Sequence, residues 1–317
     1  MLDTQETLAR MQSNIEHYLG PLKAGLQDPR VVEVMLNPDG KIFHDVLGVG
    51  LVDTGITMDF SQARTLIGAV AIAVDRPLSD AHPFLECELP GDASRFTALL
   101  PPIVSGPTIT LRKKAMNVFS IDDYVSAGIA TAAQGQLLKD LVAAKKNVLI
   151  AGETGSGKST LINALLAHVA QIEPLGRVIL IEDVSELQCS AVNSVSLHTQ
   201  PNIDIRTLVQ RTMRLRPDRI FVGEVRGGEA LDLLKAWGTG HPGGAATIHS
   251  DSPQGALIRL EQLIGEVSAR VDPRVIVAAV GCVVSIQRDL AHPAGRCIKQ
   301  IALVRGVENG VYQFESC

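Results

Sequence analysis

The amino-acid sequence predicts an α/β protein in two parts: a carboxyl-terminal domain with a mostly parallel sheet covered on both faces, and a smaller α+β amino-terminal domain. Three observations predict it. From about residue 131, apolar strand-like runs alternate with helix-like runs, the pattern of successive βα units. Between one such strand, 148–151, and the next helix lies Gly152-Glu153-Thr154-Gly155-Ser156-Gly157-Lys158-Ser159, a G-x-x-x-x-G-K-[ST] loop in the strand, loop, helix setting that gives it meaning. The composition is 46% hydrophobic but only 3% aromatic, so the core must be packed from Ala, Val, Ile and Leu, which suits buried parallel strands. A length of 317 residues makes two domains the natural expectation.

Taken in order, residues 4–19 place Leu8, Met11, Ile15 and Leu19 at helical spacing, and Gly20-Pro21 ends that helix. Val31 to Leu36 reads as a strand, Asn37-Pro38-Asp39-Gly40 as a turn and Lys41 to Val46 as the returning strand. A short strand near Leu51, a helix over 61–74 and strands over 84–89, 95–99 and 108–112 complete an α+β domain, 1–113, with no nucleotide motif of its own. Residues 114–130 have poor periodicity and read as a linker, with Ser120 to Asp123 capping a short helix. The second domain, 131–317, opens with a helix to Ala144 and the strand before the glycine loop. Strands at 177–183 and 192–198, a helix at 205–215, a strand at 219–224, a helix at 229–237 and a strand at 245–249 follow.

The charge balance narrows the function. A net charge of −5 and a pI of about 5.9 disfavour a surface built to neutralise nucleic-acid phosphates. The five cysteines, Cys87, Cys189, Cys282, Cys297 and Cys317, form no C-x-x-C pair and read as free thiols of a reducing compartment. Met1 to Arg10 lacks an apolar signal core. The longest apolar run, Val275 to Ile286, is too short to span a bilayer, so membrane association is expected only through a partner.

The chemistry-bearing residues gather around the loop. Its glycines allow successive backbone NH groups to turn inward as an anion-binding nest, and the following helix adds its positive end. Gly152 through Thr160 are the expected nucleotide contacts, with Lys158 reaching the outer phosphates and the Ser159 hydroxyl binding Mg2+. Ile220 to Glu224 is an apolar strand delivering a carboxylate at its carboxyl end, where α/β sheets place their chemistry. Ile179 to Asp183 repeats the arrangement through Glu182, with Glu186 shortly after, so two strand ends offer acids for metal binding and water activation. His249, at the end of Ala245 to His249, can sense or orient a γ-phosphate by hydrogen bonding without titrating.

These residues resemble the secretion ATPases that power type IV secretion, conjugative DNA transfer, type II secretion and type IV pili. Four boxes stand in the family's order: the loop 152–159, the acidic box Ile181 to Leu187, the glycine-glutamate box Gly223-Glu224 with its upstream Arg216-Pro217-Asp218, and the histidine box ending in Thr247-Ile248-His249. Gly223 stands where most phosphate-loop ATPases carry Asp, as is typical of this family. The amino-terminal segments Val34 to Gly40, Ser94-Arg95-Phe96, Leu100-Pro101-Pro102 and Thr108 to Lys113 are similar to the conjugative and type IV secretion members. There is no four-cysteine zinc module and no A-I-R-N-L-I-R-like segment, features usual in type II secretion and pilus retraction members. The resemblance implies a RecA-like phosphate-loop ATPase using ATP and Mg2+, in a homohexameric ring peripheral to the cytoplasmic face of the inner membrane and working with membrane-embedded transfer components. It further implies that Glu182 supports the metal through water, Glu224 activates the attacking water, His249 senses the γ-phosphate, and Arg95 and Arg112 reach the phosphates from the amino-terminal domain. A type II secretion or pilus motor and a RecA-like nucleic-acid motor are the alternatives; stable nucleic-acid binding is not expected.

Overall fold

The computed structural model describes residues 2–92, 94–114, 118–200, 202–289 and 291–316, and the chain divides into two compact units, 1–115 and 116–317. In the first unit the helices are α1 (Leu2–Tyr18), α2 (Lys23–Gln27) and α3 (Phe60–Ala73). The strands are β1 (Val31–Leu36), β2 (Lys41–Val46), β3 (Gly50–Thr57), β4 (Phe84–Glu88), β5 (Arg95–Leu99) and β6 (Thr108–Arg112). They form one antiparallel sheet in the order β3-β2-β1-β6-β5-β4. Alternate residues Val34 and Leu36, Phe96 and Ala98, and Ile109 and Leu111 point into a core shared with Ile15, Leu66 and Ile67. The Asp59 carboxylate accepts from Ser61 N and starts α3.

The second unit contains α4 (Ile121–Ser126), α5 (Ala132–Ala143), β7 (Val148–Ala151), α6 (Lys158–Ile172), β8 (Val178–Glu182), β9 (Ser194–His198) and α7 (Ile205–Thr212). It continues with β10 (Arg219–Val222), α8 (Glu229–Gly238), β11 (Ala245–Ile248), α9 (Pro253–Gly265), α10 (Pro273–Ala279), β12 (Cys282–Arg288), β13 (Arg296–Glu308) and β14 (Val311–Ser316). Its sheet runs β14-β13-β12-β7-β11-β10-β8-β9. Every pair from β12 to β9 is parallel, and β12, β13 and β14 pair antiparallel. Alternation along each central strand feeds two cores. Leu149, Ile179, Ile181, Ile220 and Val222 face α7 to α10, whereas Val148, Ile150, Val178, Leu180 and Phe221 face α4 to α6.

One expectation needs correction. The stretch 118–130 is not a linker: Ser120 and Asp123 form a reciprocal capping box on α4, and Ile121, Tyr124 and Ala130 are buried in the same core as Leu161 and Leu165. A six-residue helix buries too few residues to show a period, which is why it reads as irregular. Residues 115–117 lie outside the described residues, as does Cys317; Cys87, Cys189, Cys282 and Cys297 form no disulfide bond among the described residues. The sheet also carries an antiparallel margin, β13 and β14, that the βα alternation does not announce, and the apolar run 275–286 is split between α10 and β12. Among the described residues no helix is long and apolar enough to cross a membrane.

Candidate functional site

The glycine loop leaves the carboxyl end of β7, a strand buried along its whole length. Gly157 is the N-cap of α6 with φ +102°, left-handed backbone that costs a side-chain-bearing residue dearly. A Cβ at Gly152 would fall 2.4 Å from the carbonyl oxygen of Ile286, so the loop can pass β12 only as glycine. Lys158 is buried, and its Nζ donates to the carbonyl oxygens of Gly152 at 2.9 Å and Glu153 at 3.0 Å. Thr154, Gly155 and Ser156 complete the turn, and Ser159 and Thr160 lie in the first turn of α6.

The three strands beyond β7 on one flank, β11, β10 and β8, bring their carboxyl ends to the same edge. His249 follows β11, Glu224 follows β10, and Glu182 ends β8. A continuous chain of polar contacts results. Lys158 Nζ lies 3.4 Å from His249 Nδ1, and His249 Nε2 lies 2.7 Å from Glu224 Oε1. On the far side Arg226 Nη2 donates to Glu224 Oε2 at 2.7 Å, while its Nη1 stands 3.5 Å from Asp183 Oδ2. Burial opposes ionisation of Glu224, but the Arg226 guanidinium, with His249 and Lys158 adding, outweighs it and holds this carboxyl below the usual range. Burial and the Lys158 ammonium lower the pKa of His249, so the ring is neutral near pH 7. A neutral ring that accepts from Lys158 at Nδ1 carries its proton on Nε2, facing Glu224.

Around Ser159 the polar contacts run through Glu186 and Glu182. Ser159 Oγ donates to Glu186 Oε2 at 2.7 Å, so the acid beside this hydroxyl is Glu186. Glu182 is buried, and its Oε2 accepts from the backbone NH groups of Glu186 and Leu187, each at 2.9 Å. It thereby fixes the segment that presents Glu186. Asn163 holds the same segment from α6, donating to the Glu186 carbonyl oxygen at 3.1 Å and accepting from Gln188 N at 2.9 Å. A hydroxyl and a carboxylate are hard oxygen donors that suit Mg2+. Gly223 earns its place by closeness to this strand: a Cβ there would lie 3.1 Å from Glu182 Cβ.

Arg95 and Arg112 lie in the first unit. The register makes them direct neighbours on β5 and β6, in a row that runs Glu33, Arg112, Arg95, Glu88 across four strands. Sequence reasoning did not single out Arg226; its signal was the spacing Glu-x-Arg at a strand end. It also passed over Arg288 and Arg296, which no motif announces.

The arrangement is that of an α/β protein with a glycine loop on a central strand of its sheet, and acids and a histidine on neighbouring strand ends. The chain belongs to the type II/IV secretion system protein family, which matches residues 75–312. It is 45% identical over 307 residues to the conjugal transfer protein TrbB of Rhizobium radiobacter, covering 96% of this chain and 94% of that relative. Among solved structures it is similar to the VirB11 ATPase of the Brucella suis type IV secretion system in complex with sulphate, with a TM-score of 0.50 and 26% identity over 94% of this chain and 96% of that one. The Legionella pneumophila ATPase DotB shares the fold, with a TM-score of 0.63 at 18% identity over 91% of this chain and 80% of that one. The family expected from the four boxes is thus the family found, on its conjugal-transfer and type IV secretion side.

Proposed function

We propose that the protein is a Mg2+-dependent ATPase powering conjugative transfer or type IV secretion, its second unit a RecA-like phosphate-loop domain. The observation that best supports this reading is the unbroken chain Lys158, His249, Glu224, Arg226, which ties the anion loop to the strand-end acid. Lys158 neutralises the outer phosphates, and Ser159 with Glu186 holds the metal, with Glu182 supporting it through water. Glu224 orients a water against the γ-phosphorus and takes its proton as the new P–O bond forms and the bond to ADP breaks. To do so it exchanges its contact with His249 or Arg226 for one with water, which leaves His249 to report on the γ-phosphate. Phosphoryl transfer to water needs positioning and charge neutralisation above all, and every group named supplies one or the other.

In the same reading the protein acts as a homohexameric ring, peripheral at the cytoplasmic face of the inner membrane and engaged with membrane-embedded transfer components. Arg112 and Arg95 add charge stabilisation at the phosphates, so Arg112→Ala lowers turnover at least about tenfold with folding intact. The direct test is phosphate release by the full chain with ATP and Mg2+, in fractions sized by gel filtration. Lys158→Ala and removal of the metal with a chelator each abolish turnover; a Lys158→Ala protein as active as the unaltered one overturns the assignment.

A further inference from the structure

The sheet order gives the anion loop two flanks. On one, β11 and β10 bring His249 and Glu224; on the other stands β12, which pairs antiparallel with β13. Arg288 ends β12, Arg296 begins β13, and the two are register partners. Both guanidinium groups lie against the glycine loop. Arg288 Nε donates to the Gly155 carbonyl oxygen at 3.1 Å. A Cβ at Gly155 would lie 2.7 Å from Arg288 Nη2, and one at Gly157 would lie 2.6 Å from Arg296 Nη1.

Electrostatically this is a poor position for cations alone. Gly157 caps the amino-terminal, positive end of α6, and the Lys158 ammonium already occupies the loop. Arg296 is half-buried there and makes no ion pair with a carboxylate among the described residues. Within the same loop the Ser156 hydroxyl is fully buried and has no hydrogen-bond partner among the described residues. An anion bound in the loop would turn these separate costs into one satisfied network.

We propose that Arg296 is a phosphate-binding residue for the inner part of a nucleoside polyphosphate, and that Arg288 positions the loop through Gly155. This rests on the reading of the loop as a nucleotide site. Because Glu224 and His249 come from the opposite flank, the outer phosphate is worked on there and Arg296 grips the part of the chain that remains after it has left. Such a contact is present before, during and after hydrolysis, so it acts on affinity and leaves the chemical step alone.

The test titrates full-length protein with N-methylanthraniloyl-labelled ADP and ATP and follows phosphate release in parallel, with thermal unfolding as the control for folding. Arg296→Ala weakens both labelled nucleotides by the same factor, about tenfold or more, as expected for loss of a charge-assisted hydrogen bond. Its kcat stays within about threefold of the unaltered protein while KM rises. Arg296→Lys recovers part of the affinity, and Arg296→Gln carries the test if the alanine variant does not fold. Affinity unchanged in Arg296→Ala and Arg296→Gln, with binding lost in Lys158→Ala, overturns this proposal and leaves the loop assignment standing. A loss confined to labelled ATP places Arg296 on the outer phosphate and overturns it too. Absence of binding by the unaltered protein removes both readings together.

Discussion

Glu224 has two neighbours that keep it ionised and one histidine that cannot protonate easily, and that combination fixes what single changes should do. Glu224→Gln preserves the shape of the site and removes the carboxylate proposed as proton acceptor. We expect it to bind labelled ATP and to release phosphate at least about a hundredfold more slowly, in line with general-base contributions of about 10² to 10⁴; if Glu182→Gln is the more damaging change, the roles of the two acids are reversed. His249 provides a pH signature. Its folded-state pKa lies below the ordinary value because of burial and Lys158, so below about pH 6.5 the unfolded chain takes up more protons than the folded one. The stability contributed by the neutral ring is complete above that pH and is lost as pH falls through the folded pKa. An NMR titration of the His249 ring should show its midpoint below 6.5 and moving upward in Lys158→Ala; a midpoint above 6.5 in the unaltered protein would contradict the contact with Lys158. The sequence revealed Lys158, Glu224 and His249 because each stands at the end of an apolar strand or in a motif. It concealed Arg226, Arg288 and Arg296 because an arginine gains its meaning from its neighbours across a sheet, and strand order is not written in spacing.

At the level of elements, the central strands are held in register by a few buried polar groups. Asn147 Nδ2 donates to the Ala279 carbonyl oxygen at 2.7 Å, and its Oδ1 accepts from Gly243 N at 2.7 Å and Gly244 N at 3.1 Å. One side chain thus joins the start of β7 to the start of β11 and the end of α10. Arg219, also buried, spans from Glu173 Oε2 at 2.8 Å to the carbonyl oxygens of Val142 and Gly243. Between them runs Gly244, where an added Cβ would stand 1.8 Å from the Ile220 carbonyl oxygen. Backbone cannot yield to backbone at that distance, so Gly244→Ala should cost more than about 3 kcal/mol in urea unfolding; a loss below about 1 kcal/mol would mean that β10 and β11 can separate freely. The βα pattern made β7, β8, β10 and β11 legible to within a residue or two. The antiparallel margin was not legible, because the apolar run 275–286 passes from α10 into β12 with no change of composition to mark where the helix ends and the strand begins.

For the molecule as a whole, the net charge of −5 sets an expectation about its surroundings. A subunit of this charge repels polyanions, so single-stranded DNA should change turnover by less than about twofold at physiological salt. Strong stimulation that falls steeply with salt would instead favour a nucleic-acid motor. The pairing of β7 carries a different consequence. Val148 sits beside Ala245 on one side and Cys282 on the other, both far downstream in the chain. During synthesis the glycine loop therefore leaves the ribosome with both edges of its strand bare, and it waits for most of the second unit before either neighbour arrives. His249 comes with the first neighbour, and Arg288 and Arg296 come with the second and the strand after it. A subunit still being translated accordingly holds the glycine loop before His249, Arg288 and Arg296 have been made.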